Sequence, residues 1–209
     1  MTTPLPADAE TLFARLRDSL KDALGVSCNG QAQEGPDALA GVDPTMPMGE
    51  SAAGSGSEAA QAGSADAPAF IGIHTGGAWL AARLHAELGL SSPLGFLSSA
   101  FYRDDVQARG LSMRMQPTRI DFDVNGRDIV LVDDILHTGR TIRAALNEIF
   151  DYGRPARVRL AVLIDRGERE LPVQPDHVGT RLVLQPGEKL ALSQRTNGMF
   201  ELRVESVQA

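Results

Sequence analysis

Cysteine is nearly missing from this chain, long apolar runs are absent, and one stretch of some forty residues contains no cation. The single cysteine, Cys28, cannot close an intramolecular disulfide, which suits a reducing compartment and a fold held by packing. Residues 1–25 lack a basic region followed by an unbroken apolar run, and no apolar stretch is long enough to span a bilayer. The expectation is therefore a cytoplasmic protein with no signal peptide and no membrane partner. Within residues 27–69, Glu34, Asp37, Asp43, Glu50, Glu58 and Asp66 face no Lys or Arg. Setting those six aside from the net charge of -7 leaves 21 acidic against 20 basic residues. A near-neutral body argues neither for nor against a polyanionic partner.

What is present suffices for one core: 209 residues, 43% of them apolar, predict one folded unit with extras. Leu12, Leu16 and Leu20, flanked by Phe13 and Leu24, recur at helical spacing and stop at Gly25. Residues 1–26 thus read as an N-terminal helix packing on the core. Residues 27–69, rich in Ala, Gly, Ser, Pro and Gln, offer too few large apolar groups to offset the entropy of ordering them, so they read as a disordered low-complexity insert. An interaction tail is the alternative.

The folded body spans 70–209. Phe70 to His74 reads as a strand, Thr75-Gly76-Gly77 as a turn, and Trp79, Leu80, Leu84 and Leu88 as a helix. Leu94 to Tyr102 reads as a further strand, and Ile120, Phe122 and Val124 alternate before Asn125-Gly126, which suggests a hairpin. Asp128 to Asp134 and Val158 to Asp165 are aliphatic strands around an amphipathic helix, Thr141 to Tyr152. Beyond them, short strands are expected near Arg181–Leu184, Lys189–Ser193 and Met199–Glu205. Alternating strands and helices predict an α/β fold with a mostly parallel central sheet flanked by helices.

The chemistry concentrates in Ile129-Val130-Leu131-Val132-Asp133-Asp134-Ile135-Leu136-His137-Thr138-Gly139-Arg140-Thr141. It is an aliphatic strand, an acidic pair and a small-residue loop opening a helix. Helix N-termini present unpaired N–H groups and partial positive charge, so Thr138 to Thr141 can cradle a monophosphate. No Gly-Lys pair is followed by Ser or Thr, which argues against a nucleoside triphosphate loop. Asp133 and Asp134, at the carboxyl end of a parallel strand, can accept hydrogen bonds from a ribose diol and favour Mg2+, held through water and substrate oxygens. Two acids ending a strand could also be mere caps; the surrounding pattern favours the ligand role.

This segment resembles the phosphoribosyl diphosphate (PRPP) signature of type I phosphoribosyltransferases. Tyr102-Arg103-Asp104-Asp105, Gly153-Arg154-Pro155, Leu160 to Gly167 and Arg169-Glu170-Leu171-Pro172 follow, in order and spacing, one subgroup. It is the bifunctional pyrimidine operon regulator and uracil phosphoribosyltransferase, the PyrR family. The resemblance covers about Phe70 to Glu205 and, more weakly, the N-terminal helix. It implies a small hood of short strands and turns on the fold, conversion of uracil and PRPP to UMP and pyrophosphate, and homodimers or homotetramers. A regulator with vestigial catalysis, or transfer to another nucleobase, remains open.

By the same resemblance, His74-Thr75-Gly76-Gly77 is the pyrophosphate loop, Tyr102 to Asp105 the closing loop with Arg103 as pyrophosphate clamp, and Ile164-Asp165-Arg166 the base hood. An imidazole at His137 could accept the proton of uracil N1 or could simply shape the pocket. Arg103 could equally pair with Asp104 or Asp105. Four positions depart from the family pattern. His74 and Gly76 stand where relatives carry cations, Glu168 replaces a His, and Gln174 an Arg. Those losses weaken expectations of fast turnover and of binding to an mRNA leader, for which Arg15 and Arg17 could supply charge or could be ordinary solvated residues.

Overall fold

The computed structural model describes residues 3–26, 67–98 and 116–206. Cys28, almost all of the 27–69 insert and the Tyr102-Arg103-Asp104-Asp105 loop lie outside the described residues. The first helix, α1 (Ala9–Leu24), is capped by Asp8, whose carboxylate accepts from the Thr11 N–H at 2.8 Å. It ends at Gly25 in the left-handed region, φ 63°, where the Gly25 and Val26 N–H groups donate to Asp22 and Lys21 carbonyls. Its apolar stripe, Leu12, Phe13, Leu16 and Leu20, is buried. At about 1.5–3 kcal/mol per buried large side chain, this stripe holds α1 to the body.

Five strands form one wholly parallel sheet in the order β2-β1-β3-β4-β5: β1 (Ala69–Ile73), β2 (Leu94–Leu97), β3 (Asp128–Leu136), β4 (Arg157–Asp165) and β5 (His177–Arg181). Helix α2 (Gly76–Glu87) links β1 to β2, and α3 (Arg140–Tyr152) links β3 to β4. Strand alternation sorts the core into two layers. Phe70, Val130, Val132, Ala161 and Leu163 face α1 and α2, whereas Ile71, Ile129, Leu131, Leu160 and Val162 face Ile142 and Ile149 of α3. Burial on both faces explains why β3 and β4 read as continuous aliphatic runs.

A separate antiparallel pair, β6 (Glu188–Gln194) with β7 (Phe200–Ser206), leans on the helices. The Phe200 ring packs 5.4 Å from Phe13, and the Arg83 guanidinium lies over both rings.

β2 ends at Leu97, and positions 99–102 of the expected strand lie outside the described residues. Two expectations change. No hairpin forms around Asn125-Gly126 among the described residues: Ile120 and Val124 are buried as their alternation implied, but the only pairing is an antiparallel bridge between Phe96 and Arg119. Other bonds take the backbone there: Asp123 accepts locally from the Asn125 N–H, and the Gly126 N–H donates to the distant Arg154 O. Finally, the strand expected near Arg181–Leu184 is β5, four residues earlier and parallel to β4.

Candidate active site

The register brings three chain segments to the carboxyl ends of β1, β3 and β4. Gly72 pairs with Val132 and Leu136 with Asp165, so the turn after β1 abuts the acidic pair, and the loop after β4 abuts the loop after β3. This is where ligands bind in open parallel sheets. Asp133 is buried and Asp134 half-buried. An Asp133 oxygen accepts from the Asp134 N–H, and an Asp134 oxygen from the Ile135 N–H, each at 3.0 Å, which fixes both carboxylates against their own backbone.

Glycines set the distance between α2 and β3. A Cβ on Gly76 would lie 2.3 Å from an Asp134 carboxylate oxygen, and one on Gly77 would lie 2.4 Å from Val132 O. No other residue lets the first turn of α2 approach the acidic pair so closely. Both glycines lie inside the helix, not in a preceding turn; the turn itself is His74-Thr75, joined by a cis peptide. His74 is buried, its ring 5.6 Å from Phe96, and burial pushes its pKa below the ordinary 6.5. It is therefore neutral at physiological pH. The positive charge at this turn is the partial charge of the α2 N-terminus.

The second helix N-terminus, α3, begins after Gly139, whose φ of 91° suits glycine alone. The Thr138 hydroxyl accepts from the Arg140 N–H at 3.3 Å, and Thr138 O accepts from the N–H groups of Glu170 and Leu171. Arg140 and Glu170 form a surface ion pair. Ile129 to Val132 are fully buried and serve as the stem; Ile135, His137, Thr138 and Thr141 are half-buried, and Leu136 is buried.

Behind this loop sits a group absent from the sequence-derived candidates. The Arg169 guanidinium donates to His137 O at 2.7 Å, Gly167 O at 2.9 Å and Val173 O at 3.0 Å, and it pairs with the buried Asp165. One planar fork thus staples the loops after β3 and β4. Nothing in residue spacing signals this role, because every carbonyl it binds is placed by tertiary structure. Asp165 also accepts from the Gly167 N–H and lies 3.7 Å from Arg181.

Arg166 N–H donates to Leu136 O, and Asp165 O accepts from the Leu182 N–H. These peptide groups of the expected base hood are thus already engaged within the protein. The side chains remain: Asp165, Arg166, Gly167, Arg169, Gln174, Arg181, Leu182 and Val183 line a cavity of about 350 Å³. Within its wall, the buried Arg166 Nε–H has no acceptor among the described residues. His137 Nε2 lies 3.0 Å from Glu168, at the mouth of the same loops.

Among the described residues no cluster of three or more metal-ligating side chains occurs, and no helix is long and apolar enough to cross a membrane.

Residues 57–184 match the family described as the phosphoribosyl transferase domain. "Bifunctional protein PyrR" of Nitrosococcus oceani is 56% identical over 128 residues, covering 60% of this chain and 72% of the relative. The protein of the same name from Ralstonia nicotianae is 56% identical over 127 residues, covering 61% and 72%. Among solved structures, a hypoxanthine-guanine phosphoribosyltransferase from Bacillus anthracis matches with a TM-score of 0.54 at 14% identity, over 91% of this chain and 88% of that one. The hypoxanthine phosphoribosyltransferase of Trypanosoma cruzi matches at 0.50 and 16% identity, over 86% and 81%. At such identities the structures speak to fold alone. The chain carries a phosphoribosyl transferase domain and belongs to the family of bifunctional PyrR proteins.

Proposed function

We propose that the protein transfers the phosphoribosyl group of PRPP to uracil, giving UMP and pyrophosphate, and that nucleotide binding at the same site serves regulation of pyrimidine synthesis. The observation that carries this reading is the close approach of the α2 N-terminus to the Asp133-Asp134 pair, with the α3 N-terminus opening from the loop that directly follows that pair on β3. The α3 end, Thr138 to Thr141, holds the 5′-phosphate; the α2 end, after His74-Thr75, holds the pyrophosphate; the two carboxylates between them hold the ribose hydroxyls. Charge separation as the C1′–oxygen bond breaks is then met by fixed dipoles on the leaving group and fixed carboxylates beside the sugar.

Two carboxylates with no third side-chain ligand among the described residues suit Mg2+, which keeps its waters and takes substrate oxygens. When bound, the ion supplies charge neutralisation on the pyrophosphate oxygens. For the base, the cavity beside β4 and β5 offers the unaccepted Arg166 Nε–H, which suits a pyrimidine carbonyl. Arg103 remains our candidate clamp, within the loop Tyr102, Arg103, Asp104 and Asp105.

The regulator with weak catalysis is a second reading, favoured by the neutral His74 and by Gly76, which leave the pyrophosphate loop without a cationic side chain. Binding of an mRNA leader belongs to this reading. Arg17 pairs with Asp18 and Glu87 and Arg169 is turned inward, so neither is offered freely to phosphates, whereas Arg15 is exposed on α1. Homodimers or homotetramers are expected, and sedimentation velocity reads that directly.

Steady-state pyrophosphate release with uracil, guanine, hypoxanthine and orotate tests the proposal. Turnover with uracil alone is expected. Turnover with another base reassigns the acceptor, and failure with all four leaves the regulator, for which leader RNA binding must change with UMP across a salt series.

A further inference from the structure

We infer that Glu168 is a positioning residue for His137, holding the imidazole in the tautomer that accepts the proton from the incoming base. The inference rests on the transferase reading above. Glu168 is the only non-glycine residue with positive φ, 53°, among the described residues. Such backbone costs energy and persists where surrounding contacts impose it. Here the imposed conformation brings the Glu168 carboxylate 3.0 Å from His137 Nε2. The partners come from different loops, after β3 and after β4, and Arg169 clamps those loops by binding both His137 O and Gly167 O.

A carboxylate accepts only, so Nε2 carries the proton and donates it to Glu168, which leaves the lone pair on Nδ1. The charged groups around the pair are Arg166, 3.8 Å from the same Glu168 carboxylate oxygen, Arg169, bound to His137 O and paired with Asp165, and the Arg140–Glu170 pair on the flanking loops. As the C1′–oxygen bond breaks, its electrons leave on pyrophosphate. The C1′–N1 bond forms, and the N1 proton passes to His137 Nδ1. The resulting imidazolium sits against the Glu168 carboxylate until it loses its proton to solvent.

The pair is exposed, 39% for the His137 side chain and 61% for that of Glu168, so its effect on folding is small and its effect on geometry is what matters. The test uses the full chain, its Glu168→Ala and Glu168→Gln variants, and both in a His137→Gln background. With Glu168→Ala, kcat for uracil is expected to fall on the order of tenfold while KM for PRPP holds, by analogy with other residues that orient a catalytic histidine. Glu168→Gln, which keeps an acceptor but no charge, restores part of the loss. In the His137→Gln background Glu168→Ala costs nothing more. In 15N spectra at alkaline pH, the His137 ring signals show the Nε2–H tautomer in the parent and a mixture in Glu168→Ala. Unchanged ring signals in that variant, or losses additive with His137→Gln, overturn the inference. Absence of uracil turnover in the parent chain instead overturns the transferase reading and the proton step with it, while the ring signals still report on the pairing.

Discussion

Single atoms at Gly77 and Arg169 govern how the site is assembled. A methyl group on Gly77 collides with the backbone of Val132, which cannot rotate away, so Gly77→Ala is expected to destabilise the fold by about 1–3 kcal/mol as judged by urea denaturation. At Arg169, truncation to Met leaves the buried Asp165 carboxylate without its main partner and frees the loops it joined. Breaking such a pair costs about 3–5 kcal/mol, and Arg169→Lys recovers little, because an ammonium cannot span carbonyls of His137, Gly167 and Val173 at once. Chemical denaturation of the three variants checks both statements; near-parental stability of Arg169→Met would contradict the staple.

At the scale of elements, α1 is bound by a stripe of fully buried leucines. Leu16→Ala is expected to cost about 2–5 kcal/mol and to loosen β7 as well, since Phe13 of the same helix carries Phe200. Amide exchange resolved along the chain reads the second effect. What the sequence made legible follows from how local each signal is. α1 and the aliphatic stems of β3 and β4 could be read because their periodicity and caps are written in neighbouring residues. The acidic pair and the glycine loop that opens α3 were legible as structure for the same reason: strand, acids, glycine and helix lie in one run. β5 was displaced because its five residues mix His177, Gly179 and Arg181 with two β-branched positions, and only pairing with β4 makes it a strand. The hairpin failed where Asp123 and Arg154 captured the backbone. Arg169 and the side-chain lining of the cavity depend on contacts between loops distant in sequence, and no spacing rule reports those.

For the whole molecule, two buried histidines contribute to the response to mild acid. His74 and His177 both have pKa values depressed below 6.5, burial being the principal cause in each; His177 also feels Asp176, which opposes the shift, and Arg159, which adds to it. Because the folded values lie below the unfolded ones, the unfolded chain takes up the extra protons. Their contribution is therefore complete above about pH 6.5 and is lost as pH falls through the folded values. His177→Asn is expected to flatten the fall in Tm over that acidic window; a parental slope in the variant would show that other groups control it. His177 lies far from the proposed chemistry in role as well, bonded through Nδ1 to Ser19 of α1 at 3.0 Å.

The central claim is that two helix ends and the Asp133-Asp134 pair form a PRPP site. Calorimetric titration of PRPP with Mg2+ into the parent chain and Asp134→Asn tests it most directly. Binding of one PRPP per chain, weakened at least about tenfold in Asp134→Asn, is the predicted result; no binding to the parent chain, or equal affinity in the variant, would contradict it.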